Sequence, residues 1–299
     1  MFIISNPEMV IEQCRGGVVG TFPVLNARPQ EELGVWLTRI ESVLQSDRAA
    51  GRTVAPHGVN LVIRPNDQRF EADLATVVDH KVPLVITSLG NPAAVVQAVH
   101  GYGGLVLHDV TSARHARRAL EAGVDGLILV CAGAGGHAGA LSPFALLREV
   151  RAFYDGLIVL AGAITDGRSV LAAQVLGADL VYMGTRFIAT KESGAVAEYK
   201  DMLVDASAND IIYTPHFSGI PANYLKASIV AAGLDPDNLP TVNAAEVRAR
   251  GDRQTRWKHI WGAGQGVGNI RDLPATGELV DRLVDEYESA RNEWRKRFA

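Results

Sequence analysis

Eight short, almost continuously apolar runs are spaced along the first 190 residues, and they constrain the fold more than any other feature of the chain. They are Met1–Ile4, Gly17–Thr21, Val59–Ile63, Pro83–Thr87, Leu105–His108, Gly126–Cys131, Leu157–Ala161 and Leu180–Met183. Most of them lack the apolar–polar alternation of a half-buried strand. This pattern is typical of parallel strands that are covered on both faces.

The stretches between these runs carry residues that start and stop helices. Thr111 or Ser112, and further along Asp166, are predicted N-caps, because a short side-chain oxygen accepts a hydrogen bond from a free amide of the first turn. Gly123 and Gly177 follow the helical stretches, and glycine commonly ends a helix in the left-handed conformation. Pro143 stands where its ring is tolerated, in the first turn of another predicted helix.

A weak internal repeat indicates the same alternating unit. Glu121–Asp125 and Leu176–Asp179 both run from a helical stretch through a glycine and a small apolar residue to an aspartate, just before an apolar run. Eight strands with helical connections predict an α/β fold, the (β/α)8 TIM barrel. An open, doubly wound parallel sheet is the alternative, and the regularity of the eight units favours the barrel.

The rest of the chain is predicted to pack on the barrel. Ser193–Ser207 and Gly277–Phe298 have helical patterns, whereas Asp210–Asn243 is irregular, contains prolines and is a candidate lid over the barrel mouth. We find no pattern for a second core. We therefore expect one domain over residues 1–299, with the barrel over about 1–190 and a mainly helical C-terminal extension with the lid over about 191–299.

Charge and cysteine content exclude several classes of protein. The 29 Lys and Arg residues against 33 Asp and Glu give a formal net charge of −4 without a basic block, so nucleic acid and anionic membranes are poor partners. No apolar run reaches the roughly 18 residues of a membrane-spanning helix. Cys14 and Cys131 make no disulfide framework, which is typical of a reducing compartment. A soluble, cytoplasmic protein is expected.

Residues at the carboxyl ends of barrel strands, and Asn60 within its run, are the candidates for function. They are Asn60, Thr87-Ser88, His108-Asp109, Ala132–Gly139, Gly162–Thr165 and Gly184–Phe187. The last two loops of such barrels often bind phosphate through backbone N–H groups and a helix N-terminus. Gly162 and Gly184 let the backbone approach a phosphate closely, and Thr185 adds a hydroxyl donor. We predict a phosphate site there, with ordinary turn glycines as the alternative.

The Gly133–Gly139 segment allows two interpretations. Its first six residues match G-x-G-x-x-A, a dinucleotide-binding pattern. That motif turns directly into a helix and has an acidic residue at the end of the next strand. Here the helix begins near Ser142, and Asp155 precedes the next run. A side-chain-poor loop that lies against a flat ligand is the preferred interpretation.

His137 is the candidate general base. No other His, Asp, Glu, Lys or Arg lies between Asp125 and Arg148, and a neutral imidazole suits proton abstraction near pH 7. A loop histidine without a role is the alternative. His108, at the end of the neighbouring run, either donates to a ligand oxygen or only caps the strand.

Other chemistries find little support in the sequence. Metal-binding patterns such as H-x-H, H-E-x-x-H or a cysteine cluster are absent, and so is the G-x-S-x-G elbow of serine hydrolases. Cys131 ends an apolar run and is expected to be a core residue. The Gly262–Gly268 cluster is either a linker or, with Gln265 between Trp257 and Trp261, a loop that folds back over the site.

Several of these loops together resemble the nitronate monooxygenase (2-nitropropane dioxygenase) family of FMN-dependent (β/α)8 enzymes. The resemblance covers essentially the whole chain. Its most specific parts are Gly135-Gly136-His137-x-Gly139, Ala161-Gly162-Ala163-Ile164, Gly184-Thr185-Arg186-Phe187 and Gly264-Gln265. In the family a strand ending Ala-Pro-Met usually opens the barrel. Here the match begins at Met1, so most of that strand is expected to lie outside the given sequence.

The resemblance implies a role for each matched position. His137 corresponds to the catalytic base. The implied FMN-binding positions are Asn60, His108, Gly133, Gly136, Ala161, Gly162, Ala163, Gly184, Thr185 and Gln265. Among them, Gly162, Ala163, Gly184 and Thr185 match the phosphate loops, while Asn60, the Gly133–Gly136 stretch and Gln265 match positions beside the flavin.

The resemblance also implies a reaction, the oxidation of alkyl nitronates or nitroalkanes by O2 to a carbonyl compound and nitrite. Three alternatives stay open. They are an NAD(P)H-dependent enoyl-thioester or quinone reductase of the same family, a metal-dependent barrel lyase or hydrolase, and a non-catalytic protein that binds flavin or phosphate. The implied partners are a nitro compound and O2, with neither nucleic acid nor membrane, and the charged C-terminal helix leaves a homodimer open.

Overall fold

A parallel sheet of seven strands forms the centre of this computed structural model, which describes residues 1–64, 67–241 and 259–298. The strands are β1 (Gly20–Pro23), β2 (His57–Val62), β3 (Leu84–Ser88), β4 (Leu105–Val110), β5 (Gly126–Val130), β7 (Leu157–Ala161) and β8 (Leu180–Tyr182), and β6 (Gly136–His137) belongs to a second sheet. They hydrogen-bond in the order β1-β2-β3-β4-β5-β7-β8. A doubly wound sheet would reverse its order in the middle, so the predicted TIM-barrel type is confirmed.

Helices connect the strands and cover their outer face. They are α1 (Pro7–Arg15), α2 (Glu32–Ala49), α3 (Gln68–Asp79), α4 (Ala93–His100), α5 (Ala113–Glu121), α6 (Pro143–Arg151), α7 (Gly167–Leu176) and α8 (Thr185–Ile188), followed by α9 (Ala197–Asp205), α10 (Lys226–Ala231) and α11 (Thr276–Phe298). The predicted caps are confirmed, since Ser112 accepts from the His115 amide and Asp166 forms a capping box with Ser169. Gly177 ends α7 at φ 112°. Among the described helices, none is long and apolar enough to cross a membrane.

Alternation along the strands separates an inner from an outer apolar layer, because successive side chains of a strand point to opposite faces. The inner layer consists of Ile86, Leu107, Ile128, Val159 and Ala161, with Leu84, Val130, Leu157 and Tyr182 packed against it. The outer layer packs against the helices and includes Val59, Leu61, Val85, Val106, Leu127, Leu129, Ile158 and Leu160. The apparently unbroken apolar runs thus serve two different surfaces.

The prediction of a strand at Met1–Ile4 is wrong. The amides of Ile4 and Ser5 both donate to the Met1 carbonyl, at 3.2 and 3.1 Å, and Ile3 has φ 57°, so the segment is a turn that leads into α1. The side chain of Ile4 is nevertheless buried, in a cluster with residues of the C-terminal part of the chain. A four-residue apolar run can be buried either as a strand or as a turn. The apolar pattern alone therefore did not distinguish the two conformations.

The wall therefore has seven strands where eight were predicted. Its terminal strands, β8 and β1, share no ladder hydrogen bonds among the described residues. A hydrogen bond of 3.0 Å joins Tyr182 Oη on β8 to Thr21 Oγ1 on β1. This side-chain contact links the two ends of the curled sheet.

The aspartates of the internal repeat bind the backbone at the beginning of neighbouring strands. The Asp125 carboxylate accepts a hydrogen bond of 2.7 Å from the Val106 amide, and the Asp179 carboxylate accepts one of 2.7 Å from the Ile158 amide. Each aspartate also donates its own backbone amide to the carbonyl of the same strand residue. Both repeats thereby join the beginning of a strand to its neighbour, so their role is structural.

The C-terminal part of the chain adds a small antiparallel sheet. Its strands β9 (Ile211–Thr214) and β10 (Ala222–Leu225) lie in the order β6-β10-β9. The expectation that Asp210–Asn243 would be irregular is thus wrong for residues 211–214 and 222–231, which form β9, β10 and α10, and residues 242–243 lie outside the described part. The helices predicted at Ser193–Ser207 and Gly277–Phe298 are confirmed as α9 and α11. Helix α11 packs against α7 at Gly167, where an added Cβ would overlap the backbone amide of Tyr287.

We expect Asp166→Ala to lower the free energy of unfolding by about 1 kcal/mol, because α7 loses its capping box. Urea titration followed by circular dichroism measures the change. The control is Asp155→Ala, which removes the same side chain from an exposed loop position and is expected to leave the unfolding curve unchanged. Equal unfolding curves for the two variants would contradict the role given to the cap.

Candidate active site

A cavity of about 2210 Å³ includes the space inside the curled sheet and the carboxyl ends of its strands, and it extends outward as far as residues of α5 and α11. Ligand pockets usually measure roughly 300–1,000 Å³, so this space accommodates a cofactor and a substrate together. Its lining includes Asn60, His108, Gly133, Gly136, His137, Ala161, Gly162, Ala163, Gly184 and Thr185. The structure thus brings ten of the eleven predicted site residues to one cavity, and Gln265 lies just behind the loop of Gly133.

Two loops at the cavity interlock through their backbones. Gly133 and Gly162 have φ angles of 87° and 138°, and Ala163 has a φ of 53°, a conformation that is uncommon for alanine. The Gly133 carbonyl accepts hydrogen bonds from the amides of Ala163, at 3.3 Å, and Gln265, at 2.9 Å. Held backbone strain of this kind is typical of functional loops. The loop after β5 thereby fixes the loop after β7.

A third loop joins them through Thr185. The Gly264 amide donates to Thr185 Oγ1 at 2.9 Å. That hydroxyl accepts one hydrogen bond and keeps its own hydrogen for another acceptor. An added Cβ on Gly135 would lie 2.8 Å from the Gly264 nitrogen, so the loops approach each other where side chains are missing. The late glycine cluster folds back over the site, as one of the two interpretations of the sequence expected.

These loops present N–H groups suited to an anion. Gly184 and Thr185 begin α8, and the first amides of a helix have no partner within it. Such amides bind phosphate readily. The Ala163 amide already donates to Gly133, so it contributes less than the sequence implied. Arg186 does not take part, because it is buried and pairs with Asp272 at 2.7 Å.

His137 lies on β6, which places it at the cavity opposite the strand wall. It pairs with Ala222 of β10, and its Nε2 lies 2.9 Å from Ser218 Oγ. The Ser218 hydroxyl donates to the Ile220 carbonyl at 2.9 Å, so it accepts a hydrogen bond from Nε2–H of His137. In this tautomer Nδ1 is the basic nitrogen of the ring. Sequence reasoning missed Ser218, because 81 residues separate it from His137.

His108 borders the cavity but lies on the outer face of β4, the face of Val106 and Val110. Its Nδ1 lies 2.8 Å from Thr87 Oγ1. Burial lowers the pKa of His108 to about 4, so the ring is neutral near pH 7. A flavin contact for His108 stays a prediction.

The inward polar groups of this wall are Asn60, Ser88 and Asp109. Asn60 Nδ2 donates to Ser88 Oγ at 2.7 Å, and Ser88 Oγ donates to Asp109 Oδ2 at 2.5 Å. Burial raises the pKa of Asp109 to about 6, although Ser88 and the nearby chain N-terminus lower it. The sequence placed Asp109 among the candidates at strand ends but gave it no role at a flavin. The alternation along β4 would have separated it from His108.

The other candidates from the sequence are possible metal ligands, Cys131 and the tryptophans near Gln265. Across residues 1–64, 67–241 and 259–298, no group of three or more His, Cys, Asp or Glu side chains could hold a metal. Cys131 is a free thiol in the outer layer, and burial raises its pKa to about 12. Trp261 stacks on Tyr199 at 4.8 Å, and Trp257 lies outside the described residues.

The sequence of this chain is similar to those of known proteins. The sequence model of the family described as nitronate monooxygenase matches residues 34–286. A probable nitronate monooxygenase of Staphylococcus haemolyticus is 27% identical over 243 residues, which cover 75% of this chain and 68% of that protein. An indene-carboxyl-CoA dehydrogenase of Rhodococcus jostii is 28% identical over 247 residues, covering 81% and 69%.

A solved structure supports the fold. The nitroalkane oxidase of Streptomyces ansochromogenes superposes with a TM-score of 0.80 at 24% identity, covering 97% of this chain and 94% of that one. The TIM-barrel wall, the interlocked glycine loops and the matched sequence pattern, which runs from residue 34 to residue 286, lead to one conclusion. The chain is an oxidoreductase of the nitronate monooxygenase family.

Proposed function

We propose that this protein uses FMN to oxidise alkyl nitronates and nitroalkanes with O2 to a carbonyl compound and nitrite, with His137 as the general base. The observation that carries the proposal is the placement of His137. Its imidazole lines the same cavity as the phosphate-type loops of Gly162 and Gly184, and its Nε2 is held by Ser218. A base and a cofactor site that share one cavity suit proton abstraction next to a flavin.

The residues present fit FMN. Amides of Gly184 and Thr185 and the Thr185 hydroxyl would hold the phosphate, with support from the loop of Gly162 and Ala163. Across the cavity, Asn60 and the Gly133–Gly136 stretch would border the ring system. Two features support the fit, namely the cavity volume of about 2210 Å³ and the unpartnered buried Asp109 Oδ1 on the far wall. When bound, FMN would supply the electron transfer between nitronate and O2.

The side chains handle the proton. A neutral nitroalkane carries an acidic C–H next to its nitro group, and Nδ1 of His137 would accept that proton. Ser218 accepts from Nε2–H and stabilises the imidazolium that forms. A preformed nitronate has already lost the proton, so its oxidation bypasses this step.

An NAD(P)H-dependent flavin reductase is the second candidate. The dehydrogenase relative of Rhodococcus jostii, 28% identical, favours it. Anaerobic mixing with NADH or NADPH separates the two, since rapid bleaching of the flavin is expected only for the reductase.

The proposal extends to the protein as a whole. We propose that barrel and C-terminal extension act as one FMN-binding domain, because loops from both meet at Thr185 and Gly264. The free thiols of Cys14 and Cys131 support a cytoplasmic location. The direct test is the absorption spectrum of the purified protein, followed by a nitrite assay with a nitronate. A colourless protein that releases no nitrite would overturn the proposal.

We expect His137→Asn to abolish turnover of neutral nitroalkanes, with a loss of about 10²-fold or more, and to spare much of the activity on preformed nitronates. The amide cannot accept the α-proton, whereas the nitronate needs no base. Nitrite release from both substrates measures the difference. Equal losses on both substrates would remove His137 from the role of base.

Ser218→Ala is expected to lower nitroalkane turnover about tenfold and to shift its pH profile, because His137 loses the acceptor that orients Nε2–H. Nitronate turnover is the matched readout and should change little. Ser46→Ala, at an exposed position on α2, is the control. An unchanged pH profile in Ser218→Ala would contradict the positioning role.

Gly162→Ala is expected to destabilise the protein by about 1–3 kcal/mol and to weaken FMN binding. The φ of 138° is unfavourable for alanine, and the new Cβ would lie 2.9 Å from the Ala132 carbonyl oxygen. The control is Gly277→Ala in α11, where nothing lies within 4 Å of the new Cβ. Thermal unfolding and flavin fluorescence titration measure both effects. Similar behaviour of the two variants would contradict this account of the loop.

A further inference from the structure

The inner face of β2, β3 and β4 carries a chain of polar groups at the level of the cavity. Asn60, Ser88 and Asp109 lie on neighbouring strands and all line the cavity. Their hydrogen bonds run in one direction, from Asn60 Nδ2 to Ser88 Oγ at 2.7 Å and from Ser88 Oγ–H to Asp109 Oδ2 at 2.5 Å. Asp109 is the last acceptor of this chain.

The second carboxylate oxygen of Asp109 has no such donor. Asp109 Oδ1 is buried and has no hydrogen-bond partner in the described part of the protein. A buried carboxylate oxygen without a partner is costly, because it has lost its hydration. The other titratable groups that act on this carboxyl are the Tyr182 phenol and the Met1 α-amino group. The carboxylate therefore offers one acceptor position to whatever fills the cavity.

Asp109 Oδ1 can bind only a ligand group that donates a hydrogen bond. Nitroalkanes and nitronates carry neither N–H nor O–H groups, so the substrate of the proposed reaction cannot supply the donor. An oxidised isoalloxazine carries a single N–H, the imide of its pyrimidine ring. The proposed phosphate loops follow β7 and β8, on the opposite side of the sheet from β2–β4. A ligand that spans the cavity from those loops presents its ring system to this wall.

We propose that Asp109, oriented by Ser88 and Asn60, accepts the hydrogen bond of the flavin imide N–H and places a negative charge beside the pyrimidine ring. This assignment rests on the proposed function, because it requires a flavin in the cavity. A carboxylate at that position opposes the negative charge that the ring gains on reduction. It therefore lowers the midpoint potential of the bound flavin and disfavours reduction by a nicotinamide.

The first experiment uses 3-methyl-FMN, in which a methyl group replaces the imide hydrogen. The full-length wild-type apoprotein is titrated with FMN and with 3-methyl-FMN, and flavin fluorescence reports each dissociation constant. We expect FMN to bind at least tenfold more tightly, since a hydrogen bond to a charged group is lost with the methylated flavin. Equal dissociation constants would overturn the assignment.

The second experiment asks whether Asp109 is the source of that preference. Asp109→Ala is expected to bind FMN about tenfold more weakly and to bind the two flavins with similar affinity. If the variant keeps the wild-type preference, the methyl group is excluded by something other than Asp109, and the assignment is wrong.

The midpoint potential gives a readout that is independent of affinity. Asp109→Asn removes the charge and keeps the shape, so the potential of the bound flavin is expected to rise. The matched control, Asp155→Asn, removes the same charge at an exposed position and should leave the potential unchanged. An unchanged potential in Asp109→Asn would overturn the electrostatic part of the proposal.

These outcomes separate the assignment from the proposed function. A wild-type protein that binds neither flavin would overturn both. A protein that binds FMN and releases nitrite, yet does not discriminate between FMN and 3-methyl-FMN, would overturn only the role of Asp109.

Discussion

The alternation of side chains along parallel strands is the constraint on which the rest of this structure depends. In a sheet that curls around a cavity, one face of each strand meets the ligand space and the other meets the helices. Strand β4 shows the consequence, because Leu107 and Asp109 lie inside while Val106 and His108 lie outside. A shift of one residue in register would exchange the two sets. The apolar inner layer and the position of Asp109 at the cavity therefore depend on the same strand register.

The cavity owes its other polar surface to backbone rather than to side chains. Gly133, Gly162 and Ala163 hold left-handed conformations, and the Gly133 carbonyl joins the loop after β5 to those of Ala163 and Gln265. Thr185 ties the same group to Gly264. Loops without large side chains can approach one another and leave amides available, which is what a phosphate requires. The glycines of these loops therefore have a structural explanation.

Sequence patterns predicted most of the strand wall and most of the helix ends, since these follow from local rules of burial and capping. Those rules failed at Met1–Ile4, where a turn buries Ile4 as well as a strand would. They also failed at β9 and β10, which pair with each other across a seven-residue connection. The residues of the site divide in the same way, into those that local patterns predicted and those that depend on distant contacts. Glycine positions and His137 were visible in the sequence, whereas Ser218 was not, because contact with His137 spans 81 residues.

The sequence by itself determined that seven apolar runs form parallel strands, that glycine-rich loops follow three of them, and that His137 is the ionisable group in the longest of these loops. Burial, capping and backbone freedom are local properties, so they can be recognised along the chain. Alternation separates Asp109 from His108, but only the tertiary structure decided which of these two faces of β4 turns inward, and that Ser218 holds Nε2 of His137. These relations depend on strand register and on contacts between distant segments, which no local pattern encodes.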